Sequence, residues 1–338
     1  MRRFDVALKG LLATVMLALW SGAAGAVCTG SNLFDALAPE TRAELRHRAA
    51  QVPFSEGIAW RAERGLERIT LVGTFHFDDP RHAATLAALQ PALAEAQALL
   101  VEAGPAEQAA LQTAMSERLD LFFVPSGPTL PERMDEPDWQ RLAAAMRARG
   151  VPAFMAAKFK PWYAAMTLSV SPCALAEVTA GQVGLDGQLI EAAEARGLPV
   201  LALEPYDAAL TLFDLISDGD QIDLIRAALL TAEAADDYTA TLADAYFAGE
   251  TRLIWEFTRH DALANSGMAP AAVEAQLRLG EELLIERRNR AWLAPILAAA
   301  GRGTVLVAVG ALHLPGEAGL LALLQAEGYT LARLPLAP

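Results

Sequence analysis

The chain lacks most of the short motifs from which catalysis is usually read. It has no HExxH and no CxxC, so no metal site is written into a single segment. A Gly-x-Ser-x-Gly elbow and a Walker-type glycine loop are also missing, which removes the elbow serine hydrolases and the phosphate-cradling enzymes. Beyond the N-terminus no apolar run reaches the ~20 residues of a membrane span. There is no internal repeat, no low-complexity linker and no block of like charge to separate domains. Cysteine is almost absent. Cys28 and Cys173 are the whole complement, and neither has a histidine near it in sequence, which argues against a thiol nucleophile. Positive charge is short as well, with a net charge of −14. Such a surface repels nucleic-acid phosphates and anionic lipid, so neither is an expected partner.

What is present begins with a leader. Met1-Arg2-Arg3 is followed by an apolar stretch from Leu11 to Trp20 and by Ala24-Gly25-Ala26, the pattern of a secretory signal peptide cleaved after Ala26. Two other readings are an uncleaved anchor and a lipidated Cys28. The apolar stretch is short for the first, and Gly25-Ala26-Val27 matches the second poorly. The expectation is a periplasmic or secreted protein, with residues 27–338 forming the mature chain and no stable membrane insertion after cleavage. With 54% hydrophobic and 20% charged residues in the full sequence, there is enough apolar material for a substantial core. In an oxidising compartment Cys28 and Cys173 form one disulfide, or else stay as two buried thiols.

The periodicity predicts an α/β protein with a central mixed, partly parallel sheet flanked by helices. Ile58–Arg64 and Arg68–Gly73 form a hairpin around Gly65. Further strands are expected at Ala98–Glu102, Leu198–Glu204, Thr304–Val309 and Tyr329–Leu334. Arg81–Ala98 reads as a helix interrupted near Pro91, and Leu185–Arg196 as a helix closed by Gly197. Two largely helical stretches, roughly 105–182 and 207–299, are expected to cap the strand ends.

The strand ends carry the chemistry. Four apolar runs stop at His76, Glu102, Glu204 and His313. In open α/β sheets ligands bind beyond the carboxyl ends of strands, where loops and helix N-termini converge. Both histidines follow a glycine by three residues, Gly73 and Gly310, so each imidazole is projected from a constrained turn. The start of a helix after His313 favours a neutral ring there. Singly, a histidine or glutamate at such a place is as well explained as a structural turn residue; the pairing is what carries weight. Asp78, Asp79 and His82 are nearby extra ligands in principle. The plainer reading makes Asp79-Pro80 a helix cap and puts His82 on the exposed side of that helix. His47 and His260 read as surface. In the charged run Glu286–Arg290, Asn289 falls on the apolar stripe Ile285, Asn289, Trp292 and Ile296, where its amide needs partners. It is either a tolerated polar residue or, with Arg288, a group that reaches the strand-end site. The Gly181, Gly184, Asp186, Gly187 cluster reads as turn chemistry, with Asp186 anchoring the cap.

At these residues the chain resembles the TraB/GumN family, which includes the TIKI-type proteins. The likeness lies in Leu71-Val72-Gly73-Thr74-Phe75-His76, Gly184-Leu185-Asp186, Leu203-Glu204-Pro205, Arg288-Asn289 with Trp292, and Val309-Gly310-Ala311-Leu312-His313-Leu314-Pro315-Gly316. The resemblance implies an α/β fold related to erythromycin-esterase-like and ChaN-like proteins. Some members behave as metal-dependent proteases. It therefore implies His76 and His313 as ligands of a divalent metal (manganese, cobalt or zinc), Glu102 and Glu204 as ligand or general base, and Arg288 and Asn289 as polar support. The expected function is a metal-dependent hydrolase acting on a peptide or small-molecule substrate; the alternative is a non-catalytic ligand- or metal-binding protein of the same fold.

Overall fold

The computed structural model describes residues 29–335 apart from residue 214. The expected leader, residues 1–26, and Cys28 lie outside the described residues. Cys173 is disulfide-bonded.

The fold is α/β. Six strands, β1 (Ala59–Arg64), β2 (Glu67–Thr74), β3 (Ala98–Val101), β4 (Val200–Ala202), β5 (Val305–Gly310) and β6 (Thr330–Arg333), form one sheet in the order β4-β3-β5-β2-β1-β6. The hairpin predicted from Gly65 is β1–β2, paired antiparallel from Arg64↔Glu67 to Ala59↔Val72. Gly65 sits at φ 60, which is cheap only for glycine in so tight a turn. The neighbours β4, β3, β5 and β2 all run parallel, whereas β1 is antiparallel to both β2 and β6. The carboxyl ends of four adjacent strands therefore open on one edge.

The strand β5 reads Val-Leu-Val-Ala-Val-Gly without polar interruption because both its faces are covered. Val305, Val307 and Val309 pack with Trp292, Ile296, Leu320, Leu321 and Leu324 from the helices Arg287–Ala300 and Leu320–Ala326. Leu306 and Ala308 pack on the opposite face with Leu89, Leu93, Leu185 and Leu189. The last helix of the 207–299 stretch thus lies on the sheet itself. The other helices of the two long insertions have cores of their own, one around Leu142, Met146, Leu168 and Ile225 and one around Phe122, Trp162 and Phe213.

The interruption expected near Pro91 is a break at Leu89 between two helices, His82–Ala88 and Gln90–Glu95, with β3 beginning at Ala98. One expectation needs correction. His82 is fully buried, not exposed. Its ring lies 5.1 Å from that of Phe247 and 6.1 Å from that of Tyr246, and its Nε2 meets the Phe77 carbonyl at 3.0 Å. The cause is the cap helix Ala235–Phe247, which covers the face that the local pattern left open.

Ile296 is completely buried where the last long helix meets the sheet. The change Ile296→Ala is expected to lower unfolding free energy by about 2–5 kcal/mol, read from urea denaturation. A loss below 1 kcal/mol would show that this helix is not part of the cooperative core.

Candidate functional site

The lateral order of the parallel strands sets the order of the site. Glu204 follows β4, Glu102 follows β3, His313 follows β5 and His76 follows β2. All four are delivered to the same edge, as the strand-end reading required.

Arg288, from the helix Arg287–Ala300, reaches across that edge. Its Nη2 donates to Glu102 Oε2 at 2.5 Å and to Glu204 Oε1 at 2.6 Å. Its Nε lies 3.1 Å and 3.2 Å from the two Glu204 oxygens. Glu204 also accepts from the Trp292 indole at 2.9 Å, and the guanidinium lies 4.6 Å from the Trp292 ring centroid. Both carboxylates are thus bound to one planar cation, in side chains that are 13–19% exposed. Glu102 Oε1 takes the Gly310 N–H at 2.7 Å. Burial opposes the Glu102 charge, but the facing His313 ring, Arg288, His76 and the Gly310 N–H together hold its pKa down to about 2. The remaining nitrogen, Nη1, makes only long contacts, to the Leu284 carbonyl at 3.2 Å and to His313 Nε2 at 3.3 Å. Leu284 belongs to a π-helical turn, Glu282–Glu286, directly before the helix that carries Arg288. Such turns expose carbonyls and recur at functional sites.

Asn289 fixes the state of His313. Its Nδ2 donates to the carbonyls of His313 (3.2 Å) and Ala318 (2.9 Å), so its Oδ1 must be the group that faces His313 Nδ1 at 2.7 Å. The proton of His313 is therefore on Nδ1, and the Nε2 lone pair points at Arg288. The ring is neutral: burial pushes its pKa down to about 3, with Glu102 opposing and Arg288 and His76 adding to the fall. The neutrality expected from the sequence holds, with burial and not a helix terminus as its main cause. The predicted need of Asn289 for partners is met in full.

His76 is held differently. Its backbone lies against Gly184, where an added Cβ would come within 2.3 Å of His76 C, and the Leu185 N–H bonds the Phe75 carbonyl at 3.0 Å. From the first turn of the helix Leu185–Glu194, Asp186 Oδ1 meets His76 Nδ1 at 3.3 Å. Tyr246 supports the same loop from the cap, its hydroxyl donating to the Gly73 carbonyl at 2.9 Å. Burial lowers the His76 pKa, but the Asp186 hydrogen bond and the Asp186 and Glu102 charges outweigh it and raise it to about 9. The side chain is 57% exposed, so solvent reaches the ring and screens part of that pull. Gly310 explains the space beside it. A Cβ at Gly310 would lie 3.2 Å from His76 Nε2, 3.3 Å from Glu102 Oε1 and 3.6 Å from His313 Cδ2. The glycine keeps open a pit bounded by both histidines and one carboxylate.

The arrangement suits a divalent ion poorly while Arg288 stands where it does. The guanidinium already engages both carboxylates and faces the His313 lone pair. Among the described residues no three His, Cys, Asp or Glu side chains are grouped to hold a metal. Nor do the extra ligands considered at Asp78 and Asp79 join the site. Asp78 accepts from Gln188 at 3.2 Å, and Asp79 pairs with Arg81 at 2.7 Å. Asp186, which the sequence suggested only as an anchor for the cap, is instead the partner of His76. Its sole signal was the Gly184-Leu185-Asp186 segment, 110 residues from the histidine.

The sequence matches the TraB/PrgY/gumN family over residues 58–333, a span that contains every residue of this site. No curated protein and no solved structure matches it.

Replacing Asn289 by leucine leaves His313 Nδ1 and two carbonyls without their partner. Each buried orphan costs roughly 1–3 kcal/mol. Asn289→Leu is expected to lower the urea midpoint accordingly; an unchanged midpoint would mean that these groups find other partners and that Asn289 does not set the His313 tautomer.

Proposed function

The chain belongs to the TraB/PrgY/gumN family, and on that footing we propose that it is an exported hydrolase of acyl bonds working by proton transfer at His76. Peptide bonds are the substrate class that the resemblance to proteolytic members implies, and the periplasm or extracellular space is the compartment that the leader implies. Among the described residues no helix is long and apolar enough to cross a membrane.

The single observation that carries the reading is the His76–Asp186 pair. A carboxylate on Nδ1 leaves Nε2 facing the pit floored by Gly310 and bordered by Glu102. In its neutral form the ring takes a proton from a water placed in that pit, and Asp186 stabilises the imidazolium that results. That proton is then available to a leaving group. Of the Arg288 nitrogens, Nη1 alone is free of carboxylate, and its long contacts to the Leu284 carbonyl and His313 Nε2 are the ones that would give way to a developing oxyanion. Glu102 and Glu204 hold the guanidinium in position. Glu102, with its pKa held near 2, is too weak a base to act first. A divalent ion would take its donors from His76, His313 and Glu102, and only after Arg288 had left the last two; no step is assigned to it.

The sign of the pH dependence follows from the base. Neutral His76 is the working form, so hydrolysis is present above the His76 pKa of about 9 and is lost as pH falls through it. Asp186→Asn removes the leading groups that raise this pKa. The expected result, on a peptide or ester screen hit, is a slower enzyme whose rising limb is shifted to lower pH. A limb at the same pH in Asp186→Asn would remove His76 as the base, and a limb falling toward high pH would make it the acid. Substrate that binds without any turnover in the wild type would favour the non-catalytic binding protein.

A further inference from the structure

The helical cap contains a cavity of about 580 Å³ that the strand-end chemistry does not use. Trp162 and Met166 wall it from the helix Pro161–Ser169, Phe213 from Ala208–Phe213, Ala228 from Asp218–Thr231, and Gly280 from Pro270–Glu281. Its volume lies within the range of roughly 300–1,000 Å³ common to small-molecule sites. We propose that this cavity binds the alkyl chain of an amphiphile whose headgroup carries no negative charge.

Three observations select that occupant. The wall is apolar apart from Asp220, Asp223 and Gln276. Of these, Asp220 accepts the Ser217 hydroxyl at 2.6 Å and Asp223 pairs with Arg226 at 2.8 Å, so both carboxylates are already engaged. An extended peptide in this space would bring backbone N–H and C=O groups that find few partners, whereas an alkyl chain brings none. The two carboxylates disfavour an anionic head such as that of a fatty acid.

The third observation is Gly280. Glycine is a poor helix former, yet it occupies the interior of a helix here, and a Cβ added to it meets nothing within 4 Å. Its place is not explained by close packing; it keeps the wall of the cavity low. One residue also joins this cavity to the strand-end site. Leu284 lines the cavity, and its carbonyl accepts from Arg288 Nη1. A chain seated in the cap therefore lies against the π-helical turn that leads into the helix of Arg288.

The test is binding of 1-monoacylglycerols with chains of eight to fourteen carbons, kept below their micelle concentrations and followed by Trp162 fluorescence and calorimetry. Trp162 is stacked on Phe213 with ring centroids 4.8 Å apart, so a ligand in the cavity changes its surroundings. Saturable binding is expected, tightening about fourfold for each added methylene until the cavity is full. The fatty acid of equal length is expected to bind more weakly. Gly280→Leu should weaken binding at least tenfold while the melting temperature holds or rises, because the new side chain enters open space in a helix. Affinity independent of chain length would overturn the proposal, as would unchanged binding in folded Gly280→Leu. An apolar heptapeptide that binds more tightly than every monoacylglycerol would replace the alkyl occupant with a peptide. The readout is binding and not turnover, so failure here leaves the His76 reading standing, and the reverse also holds.

Discussion

Everything at the strand ends depends on one guanidinium. Two carboxylates brought together at a partly buried edge repel each other and lose hydration, and Arg288 offsets both effects by binding them at once. Arginine suits this role because its planar fork serves two acceptors and stays charged. The same group sets the rest of the electrostatics. It helps to keep Glu102 ionised and His313 neutral, and it leaves a single nitrogen, Nη1, without a carboxylate partner. Removing one partner from such a cluster leaves an uncompensated charge, at a cost of about 3–5 kcal/mol. Stability and chemistry therefore rest on the same contacts.

The two histidines share a local design but not a role. Gly73 and Gly310 both allow close approach: a Cβ on Gly73 would come within 2.8 Å of Ala311, and one on Gly310 would fill the pit. After that the environments diverge. His313 is enclosed and clamped by Asn289, which gives a fixed tautomer and a neutral ring. His76 stands at the opening with Asp186 behind it, which favours a protonated ring that solvent and substrate can reach. One fold thus supplies two imidazoles at opposite ends of the pKa range, a separation suited to acid–base work.

Much of this was legible in the sequence because parallel strands covered on both faces leave an unmistakable trace. Val305–Val309 and Ala98–Val101 are short, wholly apolar runs, and the first polar residues after such runs fall at the open edge. Glu102, Glu204, His76 and His313 were found that way, and Asn289 by a polar residue standing on an apolar helical stripe. What escaped depends on contacts between distant segments. Asp186 lies 110 residues from His76 in the chain, and nothing in its own neighbourhood marks it as a partner. His82 was misplaced because the cap helix that covers it comes more than 150 residues later. Arg288 was legible beside Asn289 as a group that reaches the strand-end site; that one guanidinium binds both Glu102 and Glu204 was not, because the two carboxylates come from distant strands. The cap cavity is invisible for a related reason: an apolar helix face looks the same whether it meets another helix or an empty space.

The account turns on Arg288 as the resident cation of the centre, and metal content measures this most directly. Protein purified without affinity-tag histidines would be incubated with manganese, cobalt or zinc, freed of loose ions and analysed by mass spectrometry, alongside His76→Ala and His313→Ala. The account predicts no stoichiometric ion in the wild type and no difference between it and the two variants, because the guanidinium already engages the carboxylates and faces His313 Nε2. About one ion per chain, lost in both variants while both stay folded, would contradict it and make a metal, not Arg288, the cation of the centre.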